Sequence, residues 1–409
     1  MQLIVKLIAG ILSGILIGLF APYAVTQVLI TFKALFGELL FFTIPLLILF
    51  FITSGIAALP RNAGRLLGRS LGLAYLSTLV AGTLAFVVAA ILVPMLTSAG
   101  SATPATGQVT LAPYVELTIP PVFNVMTALA LAFIFGIGIA ATGATQLKEL
   151  SDQGRAIIQR LLVKIIIPLL PLYIAGVFAE LAAAGIVFGT LRTFGVVLIM
   201  AVVLHWAWIL TLFTLAGLKA GKSPLGLIRT MLPAYFTALG TMSSAATIPV
   251  SLQATKNNGV KPDVADFTVP LFATVHLSGS TITIVSCAVA VMSIYNGLDI
   301  PSLTIIVPFI LMLGIVMLAA PGVPGGAVMA AVGLLGSMLG FSETAVALMI
   351  ALYMAQDSFG TACNVTCDGA LSILVGEAAA QPAPANEPSR TEPSQTEPSQ
   401  TEPSQTESS

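Results

Sequence analysis

The chain has 409 residues, of which 57% are hydrophobic and only 8% charged, against about 25% charged in an average soluble protein. Mean hydropathy is +1.02. So few charges cannot solvate a soluble surface of this size, which excludes an ordinary cytosolic enzyme and points to the membrane.

The net charge of −1 hides two unlike parts. Residues 378–409 carry Glu387, Glu392, Glu397, Glu402, Glu407 and Arg390, a net of −4, so the body is net +3. No basic patch with interleaved aromatics exists, so no nucleic-acid partner is expected. Cys287, Cys363 and Cys367 lie in apolar stretches and read as small packing residues rather than a disulfide framework or metal site.

In chain order, residues 1–20 are apolar apart from Lys6 and read as an uncleaved first span. Apolar segments follow at Ala34–Leu59, Leu71–Leu96, Val122–Ala141, Ala156–Ala184 and Ile186–Leu218. Each can cross about 30 Å of hydrocarbon as a helix. Residues 98–117 are rich in Ser, Thr, Ala and Pro and read as an exposed loop. With the N-terminus inside, Arg61, Arg65, Arg69, Lys148, Arg155, Arg160, Lys219 and Lys222 all fall inside. Chiefly Lys33 and Arg192 then remain outside, a positive-inside asymmetry.

The second half is apolar but interrupted. Ser223–Lys256 is broken by Met242-Ser243-Ser244-Ala245-Ala246-Thr247-Ile248-Pro249, and Pro301–Phe341 by Ala320-Pro321-Gly322-Val323-Pro324-Gly325-Gly326. Backbone groups freed at such breaks need protein, water or ligand as partners. A pair of broken segments points to a transporter binding site; kinked but continuous helices are the bland alternative. Phe267–Tyr295 is one span interrupted at 274–281, and Thr344–Val375 is the last span. Beyond Gly376 a Glu-Pro-Ser-Gln-Thr repeat has no apolar residue to bury and is expected to be a disordered spacer.

Asp357, Thr361, Asn364 and Asp368 are spaced i, i+4, i+7 and i+11, which puts all four on one helix face. Carboxylates in a membrane helix are costly and usually face a cavity or partner. The two aspartates are about 16 Å apart along the helix, too far to share a proton as a protease dyad. No Ser/His/Asp arrangement stands out in the sequence either, and His205 reads as a helix-end or core histidine. Carboxylate and carbonyl oxygens suit a hard cation, a carboxylate also suits an ammonium group, and Asn364 can both donate and accept.

Ser243 to Val250, Gly322-Val323-Pro324-Gly325-Gly326 and Asp357 to Asp368 occur in an order that resembles the dicarboxylate/amino acid:cation symporter family, the glutamate-transporter fold, over about residues 1–377. In detail they look closer to its bacterial sodium:serine/threonine branch. The resemblance implies an all-α integral membrane protein with eight transmembrane helices, two re-entrant helical hairpins and inverted repeats. It implies a scaffold mainly from helices 1, 2, 4 and 5, and a moving transport core from helix 3 and 186–377. The remaining 378–409 form the tail. It further implies a homotrimer in the inner (plasma) membrane, with both termini cytoplasmic.

By the same resemblance, Ser243, Ser244, Val323, Gly325, Asp357, Gly360, Thr361 and Asn364 surround the substrate. Ser244 and Asn364 take its carboxylate, Asp357 its ammonium and Thr361 its side chain. Asp368 binds one Na⁺ with nearby carbonyls, and His276 and Asn364 also count among the metal residues. A second Na⁺ lies between Thr274 and carbonyls of Met317, Leu318 and Ala320.

Two departures matter. Acidic-substrate members carry an Arg at the position of Gly360 or Met242, and neither is present. A substrate side-chain carboxylate would be buried unpaired, so a small neutral amino acid (Ser, Thr or Ala) is expected. The family's Asn-Met-Asp-Gly-Thr reads His276-Leu277-Ser278-Gly279-Ser280, and Leu79 replaces a hydroxyl residue while Tyr75 and Thr78 remain. Tyr75, Thr78, His276 and Ser278 then mark an altered cation or proton site, with fewer coupled Na⁺ ions. A neutral His276 bonded locally is favoured over a protonated one, because burial disfavours the cation. The alternatives are a Na⁺- or H⁺-coupled carrier of dicarboxylates or acidic amino acids, an ion channel, and, less favoured, a membrane enzyme.

Overall fold

Apolar runs this long bury their backbone polar groups most cheaply as helix, and every regular element described is helical. The computed structural model describes residues 2–58, 64–97, 112–295, 298–318 and 320–380. Arg61, most of the expected loop at 98–117 and the repeat tail lie outside the described residues.

The helices are α1 (Gln2–Phe20), α2 (Tyr23–Ala57), α3 (Gly64–Thr97), α4 (Val125–Thr142), α5 (Thr145–Leu161), α6 (Ile167–Ala183) and α7 (Val187–Ala220). Then come α8 (Pro224–Thr241), α9 (Ser244–Asn257), α10 (Pro262–Val275), α11 (Ser278–Ile294), α12 (Leu303–Met317), α13 (Gly326–Leu339), α14 (Glu343–Met354) and α15 (Asp357–Ala380). A π-helical turn, Leu162–Ile166, joins α5 to α6 without a break. Among the described residues six helices are long and apolar enough to span a membrane, or seven if the bent pair α14–α15 is one span. Large apolar side chains such as Ile134, Ile137, Ile199, Val203 and Leu218 point outward, as a lipid-facing surface requires.

Local chemistry explains several boundaries. The Asn124 side chain accepts the Thr127 N–H at 2.8 Å and starts α4, and Gly143 in the left-handed region ends it. On α1, Gly10, Gly14 and Gly18 recur every four residues against α6. A Cβ on any of them would lie within 2.4 Å of the Pro171, Ala175 or Ala179 carbonyl oxygen. The stripe thus lets two backbones touch, the small-residue packing favoured where no hydrophobic force drives helices together.

Four sequence readings change. The second span begins at Tyr23 rather than Ala34. Lys33 therefore lies within α2, paired with Glu180 of α6 at 2.5 Å. The fifth span reaches back to Thr145, so Lys148, Arg155 and Arg160 ride on it. The last span is not continuous: it breaks at Ala355–Gln356 and bends by 60°. The last helix also runs on to Ala380, past the expected end at Val375.

Helices α1, α2 and α4–α6 pack mainly on one another, as do α3 and α7–α15. Contacts of α13 with α2 and α4, of α14 with α6, and of α6 with α7 join the two groups. Within the second group, α8 folds back on α9 and α12 on α13. The break between α10 and α11 falls at His276–Leu277.

Candidate functional site

The second helix tip reaches Asp357, the first residue of α15, and the first tip is tied to the second. The first tip turns at Met242, whose φ of 54° is the sole left-handed non-glycine among the described residues. Such a conformation is uncommon off glycine and marks a position held by its surroundings. Ser243 then caps α9, accepting the Ala246 N–H at 3.3 Å. It also donates its hydroxyl to the Gly322 carbonyl at 3.0 Å, so the two tips are tied together.

The second tip ends at Gly325, with φ 74°. Its N–H donates to Asp357 Oδ2 at 2.7 Å. The Tyr353 hydroxyl, one turn upstream, donates to Oδ1 at 2.9 Å. Asp357 is 4% exposed, a buried carboxylate whose two oxygens are both engaged, as burial demands. Ser244 and Thr361 are buried beside these elements and Val323 is half-buried.

Deeper along α15, Asn364 clamps the start of α11. Its Oδ1 accepts the Gly279 and Ser280 N–H groups at 2.7 and 3.2 Å, and its amide donates to Ser280 Oγ at 2.9 Å. From α7, His205 Nε2 reaches the Gly279 carbonyl at 3.0 Å and Thr283 Oγ1 at 3.1 Å. His205 is a buried core residue in mid-helix, not a helix-end one. Gly279 is glycine for a steric reason: a Cβ there would be 2.4 Å from the Gly360 carbonyl oxygen. A Cβ on Gly360 would in turn lie 3.1 Å from Thr283 Oγ1 and 3.4 Å from the Gly279 oxygen. Position 360 is therefore crowded at its first side-chain atom.

One turn further, Asp368 Oδ1 lies 2.8 Å from His276 Nδ1, and His276 Nε2 lies 2.9 Å from Ser77 Oγ. A Ser–His–Asp chain, which the sequence did not suggest, is thus assembled from α3, the α10–α11 break and α15. His276 and Ser77 are both buried, so the chain presents no exposed nucleophile.

The other expected cation residues divide. Thr274 is exposed and donates to Leu271 of its own helix at 2.7 Å. Thr78 donates to Ala74 at 2.9 Å, and Tyr75 to the Leu311 carbonyl at 3.1 Å. Ser278 Oγ is buried without a hydrogen-bond partner among the described residues. Ser77, about 100° round α3 from Thr78, is the hydroxyl that meets His276 instead. At the end of α12, Met317 and Ala320 are buried and Leu318 is half-buried. Cys363 and Cys367 stand 3.9 Å apart as free, buried thiols.

Tyr353, Ser77, Thr283 and His205 are the site-forming residues that sequence reading missed. Tyr353 had a signal, lying one turn before the Asp357 stripe. Ser77 had only its polarity in an apolar span.

The fold and site together define a class: a multi-pass helical membrane protein whose broken helices meet on buried carboxylates. More particularly, the chain belongs to the sodium:dicarboxylate symporter family, whose model matches residues 3–378. It is 29% identical over 247 residues to excitatory amino acid transporter 1 of Mus musculus, covering 59% of this chain and 45% of that protein. The Homo sapiens counterpart is 31% identical over 175 residues, covering 42% and 32%. The serine/threonine transporter SstT of Streptococcus suis (strain 05ZYH33) is 31% identical over 303 residues, covering 69% and 81%. The chain thus spans less than half the length of the excitatory amino acid transporters it matches. The family is one of symporters, not of enzymes.

Proposed function

We propose that this protein is a secondary symporter that couples Na⁺ entry to uptake of a small neutral amino acid such as serine, threonine or alanine. The observation that carries the reading is Asp357, buried at the meeting point of two tied helix tips with its charge facing N–H and O–H donors rather than a cation. An incoming ammonium group can take over from these donors and supply the countercharge the carboxylate lacks. The substrate carboxylate would take backbone N–H groups at the start of α9, with Ser244, and the spare N–H of Asn364. Thr361 would face its side chain, with Ser243, Val323, Gly325 and Gly360 around it.

The absence of Arg at 242 and 360, and the crowding at 360, support a neutral substrate. The family description and the excitatory amino acid relatives favour a second reading, an acidic one.

Na⁺ would bind at Asp368 and near Thr274 and the carbonyls of Met317, Leu318 and Ala320. The His276 ring against Asp368 supports fewer coupled ions than an aspartate transporter uses. Counting α1 with the six long helices and the α14–α15 pair gives eight spans, with α8–α9 and α12–α13 as the re-entrant hairpins. The helix groups α1, α2, α4–α6 and α3, α7–α15 would serve as scaffold and moving core of an elevator. The assembly would be a homotrimer in the plasma membrane with cytoplasmic termini.

Purified protein in liposomes tests this. Na⁺-driven accumulation of labelled serine, displaced by threonine and not by aspartate, is the expected result. Equal competition by aspartate would transfer the assignment to the acidic reading, and uptake that never saturates would indicate a channel.

A further inference from the structure

One cleft lies away from Asp357, where the α7–α8 turn, the α9–α10 turn and the end of α15 meet. It has about 70 Å³ of internal volume and is lined by Lys222, Gly259, Lys261, Ile373 and Gly376 among others. That is room for about two water molecules or one carboxylate head. Lys222 Nζ donates to the Asn258 carbonyl at 2.6 Å, which fixes its charge at the rim. Lys261 is the N-cap residue of α10, a helix start that no side chain caps. Lys219 reaches the Leu374 carbonyl at 3.4 Å. Lys256 is neutralised by Asp266 at 2.6 Å. Asp263, in the first turn of α10, is an opposing charge among the described residues, and Glu377 follows Gly376 in sequence. Neither Lys222 nor Lys261 has a carboxylate partner among the described residues.

Gly376 lines this cleft, and the chain beyond it is the acidic repeat. Ten residues lie between Gly376 and Glu387, and the seven steps from the end of α15 at Ala380 can reach up to about 24 Å, enough to turn back toward the rim. Covalent linkage makes the encounter intramolecular, which offsets the weakness of a single exposed ion pair.

We propose that the acidic repeat of this chain docks into this cleft, Glu387 and Glu392 entering first and pairing with Lys222 and Lys261. A five-residue glutamate period offers the same carboxylate repeatedly, so the contact is multivalent and exchanges between equivalent glutamates. It covers the basic edge of the α7–α15 group and keeps anionic lipid headgroups off it.

The test is the acylation rate of individual lysines, read by mass spectrometry on the full chain in phosphatidylcholine liposomes. The comparison is with the variant Glu387→Gln, Glu392→Gln, Glu397→Gln, Glu402→Gln, Glu407→Gln, with Na⁺-dependent uptake as the control for folding. Lys222 and Lys261 are expected to react about three- to fivefold faster in the variant, with Lys148 unchanged. Equal rates in both proteins would overturn the proposal. So would protection that ignores the glutamates and arises only when phosphatidylglycerol is added, since the cleft would then belong to headgroups. The uptake control separates failure here from failure of the transport reading.

Discussion

The imidazole of His276 bridges Asp368 and Ser77, with Nδ1 2.8 Å from the carboxylate and Nε2 2.9 Å from the hydroxyl. A neutral ring satisfies both contacts: Nδ1–H donates to Asp368, and Nε2 accepts from Ser77. No proton needs to be taken up for the network to be complete.

With the ring neutral, no proton drive is expected. At fixed Na⁺, an imposed pH gradient alone should produce no serine accumulation in liposomes, in wild type or in His276→Gln. His276→Ala should be worse for stability than Ser77→Ala. It removes the hydrogen-bond donor to a buried carboxylate, a loss of about 1.5–3 kcal/mol, whereas losing one hydroxyl partner costs about 1 kcal/mol. Thermal denaturation in detergent at low Na⁺ reads the difference. Accumulation driven by the pH gradient in wild type and lost in His276→Gln would reverse the protonation assignment.

Asp357 gives a contrasting pair of variants. Asp357→Asn keeps shape but removes the charge meant for an ammonium group, and should weaken serine binding about 10- to 150-fold. Tyr353→Phe removes only the hydroxyl at 2.9 Å, a donor the ammonium group replaces, and should leave affinity unchanged or tighten it by up to about fivefold. Equilibrium binding in the presence of Na⁺ measures both, and equal affinities for Asp357→Asn and wild type would rule out the ammonium role.

The glycine stripe on α1 makes a stability prediction independent of transport. Gly14→Ala would place a Cβ 2.3 Å from the Ala175 carbonyl, forcing α1 off α6 at a cost of about 1–3 kcal/mol. Gly72→Ala on α3 meets nothing within 4 Å and should be neutral or stabilising by up to about 1 kcal/mol. Unfolding midpoints in detergent should move in opposite directions or only for Gly14.

How far the sequence carried this picture depended on what kind of signal each feature left. Helix-breaking residues announced both tips, because Pro and Gly punctuate the chain locally. The Asp357–Asp368 stripe was legible from helical spacing alone. The bend at Ala355–Gln356 was not, since neither residue breaks a helix; tertiary packing sets it. Ser77 was invisible for a related reason. Which hydroxyl of α3 meets His276 depends on the rotation of α3 against the α10–α11 break, and that rotation is fixed by contacts from distant segments such as Tyr75 with Leu311. The crowding at Gly360 likewise exists only once α11 and α15 touch.

That crowding leads to a specificity test. If the missing guanidinium were the whole difference, Gly360→Arg would convert the protein to aspartate uptake. Instead the new Cβ meets Thr283 Oγ1 at 3.1 Å and the Gly279 oxygen at 3.4 Å, and a backbone oxygen held by His205 cannot readily yield. Gly360→Arg alone is expected to lose serine uptake without gaining aspartate uptake. Adding Thr283→Ala removes the nearer contact and should restore expression, with aspartate competition appearing only in the double variant. Competition by aspartate in Gly360→Arg alone would show that the α11–α15 contact yields freely, and would leave the missing arginine as the sole barrier to an acidic substrate.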